Sequence, residues 1–207
     1  MKLYTCDPAP NAQRLALFLT YKGIELDTTQ VDLANGEQLG DAYRAINPYC
    51  TVPALILDDG TLFTEVVGMA TYLDQIFPDK PLMGTDPVQR AQVMQWDHRI
   101  FMMMTSPTAD ILRNSKENWK DRAIPGPLNI PQLPDLVQRG RDRLTAFYPI
   151  MEAHLAENAY VAGDSVTFAD IDLFTACGFC RWVKQGIPDE CTHMQAWYDK
   201  VSAELVG

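Results

Sequence analysis

Basic residues and histidines are scarce in this sequence of 207 residues. It has 17 lysines and arginines against 27 aspartates and glutamates, which gives a formal net charge of -10, and it has only three histidines. Nucleic acids and anionic membrane surfaces are bound through clustered lysine and arginine side chains, and the sequence shows no basic stripe. We therefore expect neither a nucleic acid nor a membrane among its partners.

Long apolar runs and paired cysteines are also missing. No apolar run approaches the ~18 residues that a membrane span needs, and the opening MKLYTCDPAP lacks the apolar segment of a secretory signal. The five cysteines are odd in number and irregularly spaced, which does not indicate a disulfide framework. Cysteines and histidines share no ligand spacing, so we predict no metal site. These absences favour a cytoplasmic protein.

The first 78 residues predict alternating strands and helices in the order βαβαββα. Asp59-Gly60 is typical of a tight hairpin, and Thr64 is the predicted N-cap of the helix that follows the hairpin. The predicted segments are Lys2–Cys6, Ala12–Lys22, Ile24–Leu33, Glu37–Ile46, Ala54–Leu57, Thr61–Phe63 and Val66–Phe77.

Strand signals disappear after this region. Residues 79–87 are rich in proline and glycine and predict a linker. Further on, Pro125–Pro134 is too rich in proline for a helix. The remaining patterns are helical, at Val88–Asn114, Pro134–Asn158, Phe168–Gln185 and Thr192–Leu205. The sequence therefore predicts an α/β domain at 1–78, a linker at 79–87 and an all-α domain at 88–207.

Four stretches resemble the cytosolic glutathione transferase family, in the family's order and at its spacing. They are APNAQR (9–14), NPYCTVPAL (47–55), DGTLFTE (59–65) and GDSVTFADIDL (163–173). With the element order, the resemblance covers essentially the whole chain. It implies an N-terminal thioredoxin-like βαβαββα domain followed by an α-helical bundle domain, assembled as a homodimer. It also implies a glutathione-dependent transferase that uses the thiolate of bound glutathione, its co-substrate, against a small apolar electrophile.

The resemblance also implies which residues bind glutathione. Pro53 matches the family's cis-proline, and Val52 before it would offer its backbone N–H and C=O to the cysteinyl part of the ligand. Glu65 would receive the γ-glutamyl ammonium, although it could instead only complement a helix dipole. The family most often has serine next, whereas Val66 leaves only a backbone N–H for the γ-glutamyl carboxylate. Gln38 would hold the glycyl carboxylate, with a solvated surface glutamine as an equal alternative.

The group that stabilises the thiolate is missing from its usual place. A free thiol has a pKa of about 8.5, so little thiolate exists at neutral pH without a stabilising donor. One branch of the family uses the serine of a Ser-Pro-Asn loop, and here the loop reads Ala9-Pro10-Asn11. Asn11 can donate through its amide, or it can be a plain helix N-cap. Cys6 and Thr5, at the end of the first strand, are the other candidates.

Three further motifs receive separate interpretations. The resemblance places Pro10 and one residue of Met102-Met103-Met104 at the electrophile pocket, and we take Met103 as that residue. The Cys177-X-X-Cys180 motif lies in an apolar helical run, so we predict core packing and no redox role. Asp170 completes the capping pattern Thr-Phe-Ala-Asp and is predicted to stabilise the fold.

Two functions compete with the transferase interpretation. Weak activation of glutathione would suit a glutathione-dependent disulfide or peroxide reductase. The loss of side-chain donors at Ala9 and Val66 would instead fit a non-catalytic glutathione-transferase-like binding protein.

Overall fold

The computed structural model describes residues 1–206, and these form two compact units. The first comprises Met1–Lys80 and Pro125–Leu128, and the second comprises Pro81–Ile124 and the chain from Asn129 onward. The sequence pattern does not predict that Pro125–Leu128 packs with the first unit. Within this segment Gly126 has φ 98°, and a Cβ there would lie 3.1 Å from the carbonyl oxygen of Tyr49. Glycine therefore permits the close approach.

The first unit contains a mixed four-stranded sheet in the order β2-β1-β3-β4. β1 pairs in parallel with β2 and antiparallel with β3, and β3 pairs antiparallel with β4. This arrangement confirms the predicted thioredoxin-like βαβαββα domain. The elements are β1 Lys2–Thr5, α1 Pro10–Lys22, β2 Asp27–Gln30, α2 Asp41–Ile46, β3 Ala54–Ile56, β4 Leu62–Phe63 and α3 Val66–Ile76.

The largest differences from the predicted boundaries in this unit concern α1, β2 and α2, while β1, β3, β4 and α3 each differ by one residue at one end. α1 begins at Pro10 and not at Ala12, because proline is favoured at the first helical position. β2 is shorter than the predicted Ile24–Leu33, because it pairs only along the four residues of β1. The helix predicted at Glu37–Ile46 is a short 3-10 turn followed by α2. The two are separated at Gly40, whose backbone is extended.

The second unit is helical, which confirms the predicted α-helical domain. α7 is its most buried helix, since 11 of its 15 residues are buried. Within residues 1–206, no helix combines the length and the apolar character that crossing a membrane requires. The helices are α4 Pro87–Ile100, α5 Ser106–Ser115, α6 Asp135–Glu157, α7 Phe168–Trp182 and α8 Thr192–Val206.

The single helix predicted at Val88–Asn114 is interrupted by a π-helical turn, Phe101–Thr105, between α4 and α5. The N–H of Ser106 donates to the carbonyl of Phe101, five residues earlier. Pro107 has no N–H for the carbonyl four residues before it, and its ring crowds that carbonyl. The wider turn therefore accommodates the proline inside an otherwise continuous helical stretch.

Two predictions for α7 are confirmed. Thr167 and Asp170 form a capping box at its N-terminus. Cys177 and Cys180 are fully buried, and burial raises the pKa of both thiols. The two cysteines therefore pack in the core of the helical unit.

Candidate functional site

The N-terminal end of α3 presents unpaired backbone donors next to a carboxylate. Glu65 is the N-cap, with extended backbone at φ -115° and ψ 130°, and its side chain makes no capping hydrogen bond. The prediction of Thr64 as N-cap is wrong, because the helix begins only after this extended residue. The first amides of a helix have no intrahelical partners and attract anions. Glu65 is exposed, so this end of α3 can receive both an anion and a cation.

Val66 contributes only its backbone to this helix end. Its side chain is 3% exposed and lies in the core of the first unit. A valine in this position stabilises the unit by apolar burial, while its N–H remains at the first helical position. The absence of a hydroxyl here therefore removes one donor and leaves the backbone donors in place.

The loop between α2 and β3 places a second set of backbone groups just before the start of β3. The Val52–Pro53 peptide bond is cis. Pairing of β3 with β1 begins at Ala54, so the backbone groups of Val52 lie outside the strand ladder. Such groups can pair with an extended peptide in the manner of an added strand.

Val52 belongs to a small apolar cluster that also contains one of the candidate thiolate donors. It packs with Val31 and Tyr43, which are both buried, and Cys6 and Ala9 pack against this cluster. The N–H of Ala9 donates to the carbonyl of Cys6 at 2.8 Å, which forms the turn into α1. The structure thus brings the half-buried Cys6 together with the loop that carries Val52.

Thr5 lies on the other face of β1. Successive side chains of a strand point to opposite faces, so Thr5 shares a face with Leu3 and not with Cys6. It is 7% exposed. Together with Leu3 and Ala12, it lines a cavity of about 400 Å³ in the first unit. The structure therefore separates Thr5 from the cluster around Val52.

Asn11 is the second residue of α1, which removes its alternative role as the N-cap. Ala9 is the N-cap and Pro10 occupies the first helical position. Nη1 of Arg14 donates to Oδ1 of Asn11 at 3.1 Å. Because a guanidinium has donors only, the amide atom that faces it is the oxygen. The NH₂ group of Asn11 consequently faces away from Arg14, at the N-terminal end of a helix.

Gln38 is buried in the 3-10 turn that precedes α2, with 8% of its surface exposed. Within the described residues, its Oε1 is buried and has no hydrogen-bond partner. A buried amide atom without a partner is unusual unless water or a ligand completes it. The alternative of a solvated surface glutamine is wrong, because the side chain is enclosed.

The two residues predicted for an electrophile pocket lie on different units. Pro10 is half-buried at the start of α1. Met103 is half-buried in the π-helical turn, between Met102, which is 41% exposed, and the fully buried Met104. Of the three methionines, Met103 therefore has the intermediate exposure: it is neither buried in the core nor largely exposed to solvent.

Two polar residues behind the loop between α2 and β3 are not predicted from the sequence. Asn47 is fully buried, and its Nδ2 donates to the carbonyl of Thr51 at 2.9 Å. The hydroxyl of Tyr43 donates to the same carbonyl at 2.7 Å. The Asn47-Pro48 pair predicts only the end of a helix, and nothing in the spacing shows that the asparagine side chain turns inward.

Comparison with known proteins gives matches over both units. Residues 9–76 match the glutathione S-transferase N-terminal domain, and residues 94–204 match the glutathione S-transferase C-terminal domain. Glutathione S-transferase 2 of Saccharomyces cerevisiae is 27% identical over 204 residues, which cover 97% of this chain and 85% of that protein. Maleylacetoacetate isomerase of Pseudomonas aeruginosa is 35% identical over 94 residues, which cover 44% of each chain.

A solved structure is similar over the whole length. The crystal structure of a glutathione S-transferase domain-containing protein from Marinobacter aquaeolei has a TM-score of 0.89 against this chain. It is 30% identical, and the match covers 98% of both chains.

Proposed function

The chain belongs to the glutathione S-transferase family as a glutathione-dependent enzyme, and we propose that it activates bound glutathione for attack on a small apolar electrophile. The observation that carries the proposal is the N-terminal end of α3. There an exposed Glu65 with no capping bond lies next to helix amides that lack partners. This combination suits the γ-glutamyl end of glutathione, which carries an ammonium and a carboxylate on one carbon.

Each part of glutathione has a matching group in the first unit. The Glu65 carboxylate pairs with the ammonium, and the Val66 N–H donates to the γ-glutamyl carboxylate, both as charge-assisted hydrogen bonds. The backbone of Val52, next to the cis bond to Pro53, pairs with the cysteinyl residue as an added strand would. The buried amide of Gln38 is proposed to hold the glycyl carboxylate through its Nε2 donors. Its unpartnered Oε1 is an acceptor, so the group that completes it must be a donor such as the glycyl N–H.

The thiolate of bound glutathione is proposed to lie near the start of α1. The NH₂ group of Asn11, turned away from Arg14, donates to the sulfur, and the helix dipole favours the anion at this end. Cys6 is the second candidate, because it packs on the cluster that contains Val52. Thr5 is the third candidate, and its side chain lies on the other face of the strand.

The electrophile pocket and the assembly are further parts of the proposal. The family resemblance favours Pro10 and Met103 as electrophile contacts; each is half-buried within its own unit, and polarizable methionine adapts to ligands of different shapes. The family resemblance favours a homodimer acting in the cytoplasm. The name of one relative, maleylacetoacetate isomerase, favours isomerisation as an alternative to conjugation.

One observation favours a second candidate, a glutathione-dependent reductase. The loop that leads into α1 has Ala9 at the N-cap, which has no hydroxyl to lower the thiol pKa. Thiol–disulfide exchange proceeds with a modestly activated thiol.

An assay panel with glutathione and an aryl halide, a hydroperoxide or a mixed disulfide separates the two candidates. We expect turnover of the aryl halide. Turnover of only the disulfide or hydroperoxide would replace the transferase with a reductase, and turnover of none would favour a binding protein.

Replacement of Asn11 by alanine is expected to raise the pKa of the bound glutathione thiol by about one unit, or 1.36 kcal/mol of thiolate stabilisation. Less thiolate then exists at neutral pH, so turnover near pH 7 should fall roughly tenfold and recover in part as the pH rises. An ultraviolet pH titration of the thiolate measures the shift directly.

Matched titrations of Cys6→Ala and Thr5→Ala serve as controls for this assignment. We expect both curves to follow the wild type. If Asn11→Ala superimposes on the wild type while Cys6→Ala is shifted, the thiolate donor is Cys6 and not Asn11.

A further inference from the structure

The carbonyl oxygen of Thr51 is held from the inside of the first unit by two side-chain donors. The hydroxyl of Tyr43 donates to it at 2.7 Å and Nδ2 of Asn47 at 2.9 Å. Tyr43 is 3% exposed and Asn47 is fully buried. A carbonyl oxygen has two lone pairs, so these two bonds fill its acceptor capacity.

These two hydrogen bonds to the Thr51 carbonyl fix the direction of the Val52 N–H. The Thr51–Val52 peptide bond is trans, unlike the bond that follows it. In a planar trans peptide the C=O and the N–H point in opposite directions. Because the Thr51 oxygen faces Tyr43 and Asn47, the Val52 N–H faces away from them. Rotation of the peptide would break both hydrogen bonds and leave buried polar groups unpaired.

Both side chains are fixed as donors by their own surroundings. Oδ1 of Asn47 accepts from the N–H of Tyr49 at 3.0 Å, so its NH₂ group must face Thr51. The ring of Tyr43 makes an edge contact with Tyr4, at 6.2 Å between centroids. Burial raises the pKa of Tyr43 to about 12, so its hydroxyl keeps its proton in neutral solution.

We propose that Tyr43 and Asn47 are positioning residues for glutathione, which hold the Thr51–Val52 peptide so that the Val52 N–H faces the ligand. Neither side chain touches the ligand itself. The inference rests on the proposed function, in which the backbone of Val52 pairs with the cysteinyl part of glutathione. It also explains why that backbone has this orientation: the two side chains at the end of α2, behind the loop, hold it there.

Removal of the Tyr43 hydroxyl tests this role, because Tyr43→Phe keeps the ring and its apolar contacts. We expect a glutathione Kd about three- to tenfold higher by calorimetry, the size of one ordinary hydrogen bond. In the assay that the wild type supports, KM for glutathione should rise by the same factor, with kcat changed less than twofold. A ground-state positioning role predicts this split between KM and kcat.

Tyr148→Phe is the matched control. The hydroxyl of Tyr148 donates to the carbonyl of Gln185 at 2.5 Å in the helical unit, and the residue is 4% exposed. It therefore loses the same kind of buried bond to a backbone carbonyl. Its thermal stability should fall, while its glutathione Kd should remain that of the wild type.

The outcomes separate this inference from the proposed function. If the wild type binds glutathione and Tyr43→Phe binds it as tightly as Tyr148→Phe does, the positioning role is wrong and the proposed function stands. If the wild type itself binds no glutathione, the proposed function fails and this inference fails with it. A raised Kd in Tyr43→Phe alone supports the positioning role.

Discussion

Replacement of Asp170 by alanine is expected to lower the free energy of unfolding by about 3–5 kcal/mol, because it breaks a buried hydrogen-bond network in which four donors share one carboxylate. Its Oδ1 accepts from the N–H of Val161 at 2.9 Å and from Nε1 of Trp197 at 3.0 Å. Its Oδ2 accepts from the N–H of Thr167 at 2.9 Å and from its hydroxyl at 2.8 Å. The carboxylate is fully buried.

The size of this effect follows from the number of donors that lose their acceptor. Alanine leaves the N–H groups of Val161 and Thr167, the Thr167 hydroxyl and the Trp197 indole without their partner in the core, and each unpaired buried group is costly. For a chain of this length, about 3–5 kcal/mol corresponds to a melting temperature lower by roughly 6–20 °C. Thermal unfolding followed by circular dichroism measures it.

Asp86→Ala is the matched control for Asp170→Ala, because Asp86 also accepts backbone N–H bonds at a helix N-terminus, but as the N-cap residue and from an exposed position. Its Oδ1 accepts from the N–H groups of Val88 and Gln89 at 2.8 and 3.0 Å. Loss of an exposed cap costs about 1 kcal/mol. Equal losses in the two variants would contradict the account of Asp170 as a buried connection between elements.

Replacement of Lys22 by methionine is the second change with a large expected effect, again about 3–5 kcal/mol of unfolding free energy. Nζ of Lys22 donates to Oδ1 of Asp74 at 2.7 Å and to the carbonyls of Asp79 and Lys80 at 2.7 and 3.0 Å. The side chains of Lys22 and Asp74 are 1% and 8% exposed. One ammonium therefore ties the end of α1 to α3 and to the chain that leaves the first unit.

A double-mutant cycle with Asp74→Asn measures the pair itself. Direct contact predicts a coupling of at least about 1 kcal/mol between the two changes. Lys80→Met is the control, since its Nζ donates to the carbonyl of Tyr21 at 3.0 Å from an exposed position. Additive losses in the cycle would show that the bonds of the ammonium to backbone carbonyls explain the effect and the ion pair does not. A loss in Lys80→Met as large as in Lys22→Met would contradict the role of burial.

The parts of the fold that were predictable are those set by local chemistry. Gly23 has φ 69° and ends α1, and the Asp59-Gly60 pair joins β3 to β4, as turn chemistry predicts. The capping box of Thr167 and Asp170 is also local, since its two members lie three residues apart. Such signals do not depend on the rest of the chain.

The parts that could not be predicted depend on groups that only the folded chain brings together. The burial of Gln38 and the convergence of Tyr43 and Asn47 on Thr51 require the packing of α2 against the sheet region. Strand alternation indicates that Thr5 and Cys6 face opposite ways. Only the packed cluster shows that Cys6 is the one beside the Val52 loop.

Glutathione is proposed to bind with its γ-glutamyl group at Glu65 and the N-terminal end of α3. Calorimetric titration of glutathione into the wild type, Glu65→Ala and the exposed charge control Glu25→Ala measures this contact. We expect binding to the wild type, an affinity at least tenfold lower in Glu65→Ala, or about 1.4 kcal/mol, and no change in Glu25→Ala. Equal affinity in all three proteins, or no binding to the wild type, would contradict this proposal.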